Sequence, residues 1–365
     1  MKYICYITIQ QKILYIMTVP YSIQNNYSRL SVYLCGDILN IILNFLSLNN
    51  IYSIKLLNKY YKKFIEIDFI LEYYYYSEAN KKIIQKYKKY LKKIIITDDI
   101  NIHDDYLLEC NKLEVLELNY GNNITDEGLK YISNIKSLNL FNNNNITDEG
   151  LKYIPNIINL KLNYNKKITG RGFVYIPNIE SLQLRYNTKI TDDGLKYIPN
   201  VKQLDLYSNK NITDEGLKYI PNVRHLDLHF NGNITDTGLK YISNVIYLNL
   251  NYNSRITDKG LKCIPNIIDL NLNNGMKITD MGLKHIPNIK RLNMKNNNNI
   301  TDKGLKYIPR VQNLNLYNNT YITNEGLKYI PNVQNLCLRN NKNITYAGLK
   351  YIPNIEDLAE LYYDP

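Results

Sequence analysis

The sequence has no long hydrophobic run. Near its front the apolar residues fall into two stretches, Tyr3 to Ile9 and Ile13 to Met17, split by Gln10, Gln11 and Lys12. Each is too short for a membrane span and poorly shaped for an export signal, which points to a location inside the cell, in the cytoplasm. Cysteine is scarce: Cys5, Cys35, Cys110, Cys263 and Cys337 are scattered and odd in number. That excludes a disulfide framework and suits free thiols in a reducing compartment. No phosphate-cradling glycine loop and no nucleophile motif occurs.

What the chain has instead is repetition. The stretch Ile190-Thr191-Asp192-Asp193-Gly194-Leu195-Lys196-Tyr197-Ile198-Pro199-Asn200-Val201 recurs almost word for word at Ile124, Ile146, Ile168, Ile212, Ile234, Ile256, Ile278, Ile300, Ile322 and Ile344, in steps of 22 residues without insertion or deletion. So strict a register implies stacked units, each packing on its neighbours. A Leu-x-Leu pair such as Leu182 and Leu184 marks a short strand with both leucines inward. Three residues on, an asparagine such as Asn165, Asn187 or Asn209 is placed to hydrogen-bond the turning backbone. The threonine that follows can cap a helix, and the aspartate favours its first turn. Leu195 and Ile198 face inward, and Pro199 is expected to end the helix after about two turns, a proline inside a helix costing about 3 kcal/mol. The glycine shared by all these units, Gly128 to Gly348, is open to two explanations, a positive φ or close packing. Counting back from Leu116 and Leu118 reaches Ile94 and Ile96. A degenerate first unit therefore begins near Leu91, with Asp104 and Asp105 opening its helix and Leu107 inward.

The phrase Leu-x-x-Leu-x-Leu-x-x-Asn-x-x-Ile-Thr-Asp-x-Gly-Leu resembles the leucine-rich repeat, and Ile-Thr-Asp-x-Gly-Leu is similar to its F-box-associated, cysteine-containing subtype. Asparagine stands here where that subtype commonly has cysteine, and its units are longer. The resemblance implies an α/β fold: a right-handed leucine-rich-repeat solenoid whose strands line a concave face, from residue 91 to residue 365 with end caps.

Ahead of it the pattern is helical. Leu34, Ile38, Leu39, Ile42, Leu43 and Leu46 precede a polar break, and Ile51, Ile54, Leu57 and Lys59 follow it. This stretch resembles an F-box, with Cys35 for the usual proline, Asn58 for a cysteine and Tyr61 for a tryptophan. The resemblance implies a small N-terminal all-α F-box-like domain over residues 28–70 that docks on a Skp-type adaptor of a cullin ubiquitin ligase. A cap shielding the first repeat is the plainer reading. Residues 1–27 carry no assignable pattern, and residues 71–90 read as a Tyr- and Lys-rich connector.

Two surfaces of the array invite a functional reading. The net charge is +12, and a lysine column that includes Lys130, Lys196, Lys218, Lys240 and Lys328 makes the array basic. That fits nucleic acid or an acidic membrane surface. The column varies so little, however, that it cannot encode a particular target, and a solvated edge is the preferred reading. The concave positions do vary: Lys161, Tyr164, Arg185, Tyr186, Asp205, Tyr207, His225, Asp227, His229, Phe230, Tyr247 and Tyr252 give way later to Asn271, Asn293 and Asn315. Aromatics and arginine anchor protein interfaces, so a protein or peptide partner is expected here. Asp205 and Asp227, in adjacent units, are placed to share a cationic group of that partner. His225, Asp227 and His229 also alternate as metal ligands might on a ribbon. Yet the two histidines are about 13 Å apart at Cα, and both imidazoles would have to stretch fully to one ion at the Zn–N distance of about 2.0 to 2.1 Å. They read as contact residues, with no metal or cofactor. Cys337 lies about 24 Å from the nearest such histidine on strand spacing, which excludes a Cys–His pair. The chain is read as non-enzymatic, any ligase activity residing in a partner.

Overall fold

The computed structural model describes residues 69–73, 91–96, 102–118, 122–273 and 277–359. The chain divides into two compact units, Met1–Ile70 and Leu71–Pro365. The F-box-like positions Leu34 to Lys59 lie outside the described residues, as does most of the connector, apart from the strand Phe69–Tyr73.

In the second unit thirteen strands, from Leu91–Ile96 to Asp357–Ala359, follow one another in chain order as a parallel sheet. Their register is the sequence period made physical: Leu182 pairs with Leu204, Leu226 with Leu248, and Leu336 with Leu358. Ile94 pairs with Leu116 and Ile96 with Leu118, which places the degenerate first unit in phase. Its Asp104–Leu107 turn buries Leu107 as expected.

The paired leucines from Leu116 and Leu118 to Leu336 and Leu338, with Met294 standing for one of them, point inward and are buried, as are Ile190, Leu195, Ile198 and Val201 from the rest of one unit. Each such side chain contributes about 1.5 to 3 kcal/mol when covered, and only the neighbouring units can cover it. The turn after the strand is held from inside. Asn165 Nδ2 donates to the carbonyls of Asn143 and Ile146 at 2.8 and 2.9 Å, while its Oδ1 accepts the N–H groups of Lys167 and Ile168.

The helices are shorter than the proline spacing implied. Asp192–Leu195 and its equivalents are single turns rather than two. Proline disfavours the helical conformation of the residue before it, so the restriction is felt ahead of Pro199 itself. Where serine replaces proline, at Ser133 and Ser243, a further 3-10 turn follows, Lys130–Ile132 and Lys240–Ile242.

The aspartate that opens each helix does more than favour its first turn. Asp192 Oδ1 accepts the backbone N–H of Thr213 in the next unit at 2.9 Å, and Oδ2 accepts its hydroxyl at 2.6 Å. The clamp repeats from Asp104 on Thr125 to Asp302 on Thr323, and Asn324 makes its equivalent on Thr345. It also decides the glycine column. A Cβ at Gly216 would sit 2.2 Å from Asp192 Oδ1, so close packing against the previous unit's clamp, not positive φ, requires glycine there. Gly170 is the exception. It replaces the aspartate, adopts φ +95, faces Gly194, and leaves Thr191 without this clamp.

Candidate protein-interaction face

Strand alternation turns Asp205, Asp227 and their column outward between the buried leucines, and the residues just after the second leucine bend away at the end of the sheet. There the backbone is left-handed. Asn142, Tyr164, Tyr186, Ser208, Phe230, Tyr252, Asn296, Asn318 and Asn340 occupy one column, all with φ between 57 and 63°. Asparagine tolerates this region, whereas a bulky residue there costs on the order of 1 to 3 kcal/mol. The conformation is imposed by the repeat: the N–H of Tyr186 donates to Tyr207 O at 3.0 Å and that of Phe230 to Asn251 O at 3.1 Å, extending the inter-unit ladder through the bend.

Four central units thus hold an aromatic ring where asparagine fits more cheaply, and the rings form a continuous ladder. Phe141 meets Tyr164 edge-on, Tyr164 stacks on Tyr186 at 4.6 Å, and Tyr186 leans on Tyr207 at 4.9 Å. Tyr207 contacts both His229 and Phe230, and Phe230 stacks on Tyr252 at 4.4 Å. Phe230 and Tyr252 remain 39% and 47% exposed, enough ring edge to contact a partner.

Beside the ladder lie the carboxylates. Arg185 Nε bonds Asp205 Oδ2 at 2.5 Å, so the chain's own guanidinium, rather than a cation shared from a partner, takes the Asp205 charge. Asp227 pairs in register with Asp205, but its oxygens accept from the His229 backbone N–H at 2.9 Å and from Asn249 Nδ2 at 3.1 Å. Burial, with a contribution from Asp205, pushes the Asp227 carboxyl up despite those two donors. On the far side His225 stacks on Tyr247 at 6.1 Å, and burial raises the Tyr247 phenol with help from Asp227. Burial lowers the His229 imidazole, favouring its neutral form.

The structure therefore brings together Tyr164, Arg185, Tyr186, Asp205, Tyr207, Asp227, His229, Phe230 and Tyr252, with His225 and Tyr247 alongside. Lys161 is half-buried in its strand, and among the described residues it takes part in neither the ring ladder nor the ion pairs. Phe141 was missed, although it occupies the Tyr207 column three units earlier. Asn249 was missed as well, and only its register opposite Asp227 reveals it. No group of three or more His, Cys, Asp or Glu among the described residues could hold a metal ion, and no helix among them is long and apolar enough to cross a membrane.

The lysine column stands on the helical side. Lys218 bonds Glu215 at 3.1 Å and lies over the Tyr241 ring, and Lys328 does the same with Glu325 and Tyr351. Lys196 repeats the pattern with Asp193 and Tyr219.

A family model described as Leucine Rich repeat matches residues 109–133, 131–154, 175–198, 197–220, 219–243, 241–264 and 285–308. Leucine-rich repeats run across residues 109–308. The first break in these matches holds the irregular unit with Gly170 and Phe173, and none of them reaches the F-box-like stretch. No curated protein matches the chain in sequence. Solved structures of similar fold include an internalin from Listeria monocytogenes strain 4b F2365, 18% identical, covering 78% of this chain and 94% of that one at a TM-score of 0.47. A chain of the Rad7 and Elc1 complex in yeast is 16% identical, covering 92% of this chain and 90% of that one at a TM-score of 0.52. A chain of the TLR13–ssRNA13 complex is 16% identical at a TM-score of 0.50, with 73% of this chain covering 43% of that one. At these identities the likeness is one of fold.

Proposed function

We propose that the chain is a substrate-recognition adaptor of a Skp/cullin/F-box type ubiquitin ligase, binding a protein partner on the outer strand face between Lys161 and Tyr252. The observation that carries the recognition half is the aromatic ladder. Tyr164, Phe230 and Tyr252 occupy left-handed backbone that other units fill with asparagine, and backbone strain of this kind clusters at binding surfaces. A face built of tyrosine, phenylalanine and arginine has the composition of interface hot spots.

The ligase half rests on the F-box-like spacing from Leu34 to Lys59. The chain itself performs no chemistry in this scheme; its repeats hold the substrate while an adaptor brings the enzyme. The competing reading is an interaction scaffold without a ligase. Nucleic-acid binding through the lysine column is less favoured, because Lys218 and Lys328 already face their own acids and tyrosine rings. One of the solved relatives in fold was captured with a protein and another with RNA, so the fold alone does not choose between these classes.

Co-purification with a Skp-type adaptor tests the ligase half. The full chain should retain the adaptor and lose it on Leu39→Asp with Ile42→Asp, with unchanged thermal unfolding of the repeats. A folded chain that ignores the adaptor, or binds it equally with both substitutions, would leave the scaffold reading in its place.

A further inference from the structure

The positive charge of the array is concentrated in one stretch. Residues 237–310 hold 12 Lys and Arg against 4 Asp and Glu, whereas residues 111–236 hold 15 against 14 and residues 311–365 hold 4 against 5. The four acids of the basic stretch are engaged within the fold. Asp258, Asp280 and Asp302 accept from Thr279, Thr301 and Thr323 of the next units, and Asp269 takes the Arg291 guanidinium at 2.6 Å.

On the helical side the excess follows from two local changes. In flanking units the residue three before the column lysine is an acid that pairs with it, as Glu149 does with Lys152, Glu215 with Lys218 and Glu325 with Lys328. From Lys240 to Lys306 that position holds Thr237, Lys259, Met281 and Lys303 instead. The tyrosines beneath the column are interrupted as well: Cys263 and His285 stand where Lys218 and Lys328 have Tyr241 and Tyr351 in their next units. Lys240, Lys259, Lys262, Lys284, Lys303 and Lys306 are therefore exposed on four consecutive units, none with a carboxylate partner, although Lys306 lies over Tyr329. In the column of Lys259 and Lys303, between them, Met281 is 52% exposed. Like charges gathered this closely repel one another unless an anion faces them.

The kind of anion follows from the chemistry of the cluster. All six cations are lysines, hydrated point charges without the fork by which arginine holds a phosphate group in fixed geometry. The broken tyrosine column gives bases no continuous platform for stacking, and an exposed methionine gains nothing from a sugar-phosphate backbone. A bilayer rich in anionic lipid suits all three features. Its headgroups move to meet point charges, each lysine near the surface adds to the attraction, and the apolar side chain can enter the boundary between headgroups and acyl chains.

We infer that the helical side of residues 237–306 docks on a membrane surface rich in anionic lipid, with Lys259, Lys262, Lys284 and Lys303 grouped about Met281. This contact does not use the outer strand face, so it stands independently of the protein-recognition reading.

The test is co-sedimentation of the full chain, at about 0.1 M salt, with vesicles of phosphatidylcholine alone and with vesicles containing about 30% phosphatidylserine. The wild type should partition at least about tenfold more strongly to the anionic vesicles. Lys259→Gln, Lys262→Gln and Lys284→Gln together should remove that preference, with the unfolding temperature unchanged or raised. Lys196→Gln, Lys218→Gln and Lys328→Gln together subtract the same charge from lysines that have acid partners, and should preserve it. Met281→Ser should weaken partition about threefold or more. Equal partition to the two kinds of vesicle, equal losses from the two triple variants, or no effect of Met281→Ser would overturn the assignment. A short DNA duplex that strips the chain from the anionic vesicles at matched phosphate concentration would overturn it in favour of a nucleic-acid face.

Discussion

At the residue scale, chemical identity is dictated by what one unit places against the next. Gly216 is glycine because Asp192 of the previous unit occupies the space a methyl group would need, whereas a Cβ at Gly232 would meet nothing within 4 Å. Gly216→Ala is therefore expected to lower unfolding stability by about 1 to 3 kcal/mol, by the cost of overpacking. Gly232→Ala should stay within about 0.5 kcal/mol of the wild type, as surface substitutions do. Chemical denaturation of the two variants measures the contrast, and equal losses would contradict it. Asp227 shows the opposite economy, a residue kept despite its cost. Burial raises its carboxyl from the ordinary 3.8, with Asp205, Arg185, His229 and Tyr247 the charged or titratable groups around it. A raised folded value means the site's contribution to stability is complete below about pH 3.8 and is lost as pH rises through the folded value. Relative to Asp227→Asn, the wild type should lose stability over that rise. Denaturation of both proteins from about pH 4 to pH 7 tests the sign, and a relative gain would show that the donors, not burial, dominate.

At the scale of the element, much was legible and some was not. The 22-residue period gave strand positions, inward leucines and the phase of the first unit at Ile94, because a parallel stack turns period directly into register. The asparagine column was legible for a similar reason: an inward polar side chain at a turn must bond backbone. Helix length was overestimated, since proline acts on the residue before it; the units with Ser133 and Ser243 add a 3-10 turn to the α-helical one. The inter-unit role of Asp192 was hidden because the same residue satisfies a local rule, and a local explanation leaves nothing over to suggest a partner 21 residues away. Of the site, the residue types were legible from their variation along one face. The ring ladder and its left-handed backbone were not, since stacking distances depend on a bend that sequence spacing does not encode. The lattice of clamps also sets what the array tolerates. Deleting a complete 22-residue unit, residues 278–299, restores Leu-to-Leu and Asp-to-Thr matching across the junction and should leave a cooperative, somewhat less stable fold. Deleting residues 278–288 alone sets a strand against a helix and should abolish that transition in thermal unfolding. Two equally cooperative deletion variants would contradict stacking as the source of stability.

At the scale of the whole molecule, uniformity and variation fall on different sides. The helical side repeats a lysine in nearly every unit, paired with its own acid and a tyrosine ring at Lys196, Lys218 and Lys328, and so carries little information. The outer strand face concentrates its aromatic and charged variety from Phe141 to Tyr252 and then gives way to Asn271, Asn293 and Asn315. A solenoid is suited to this division, because residues on the strand face can change without disturbing the buried leucines beneath. The central claim is that these units hold a protein partner. The most direct measurement is quantitative partner capture by the wild type, by Tyr207→Ala with Asp227→Ala, and by Asn293→Ala with Asn315→Ala. Loss of the anchors should cost at least about 2 kcal/mol in binding, with the fold intact, while the asparagine pair leaves recovery unchanged. Equal recovery from both variants would contradict the claim, and loss only on removing Lys218 and Lys240 would move the interaction to the helical edge.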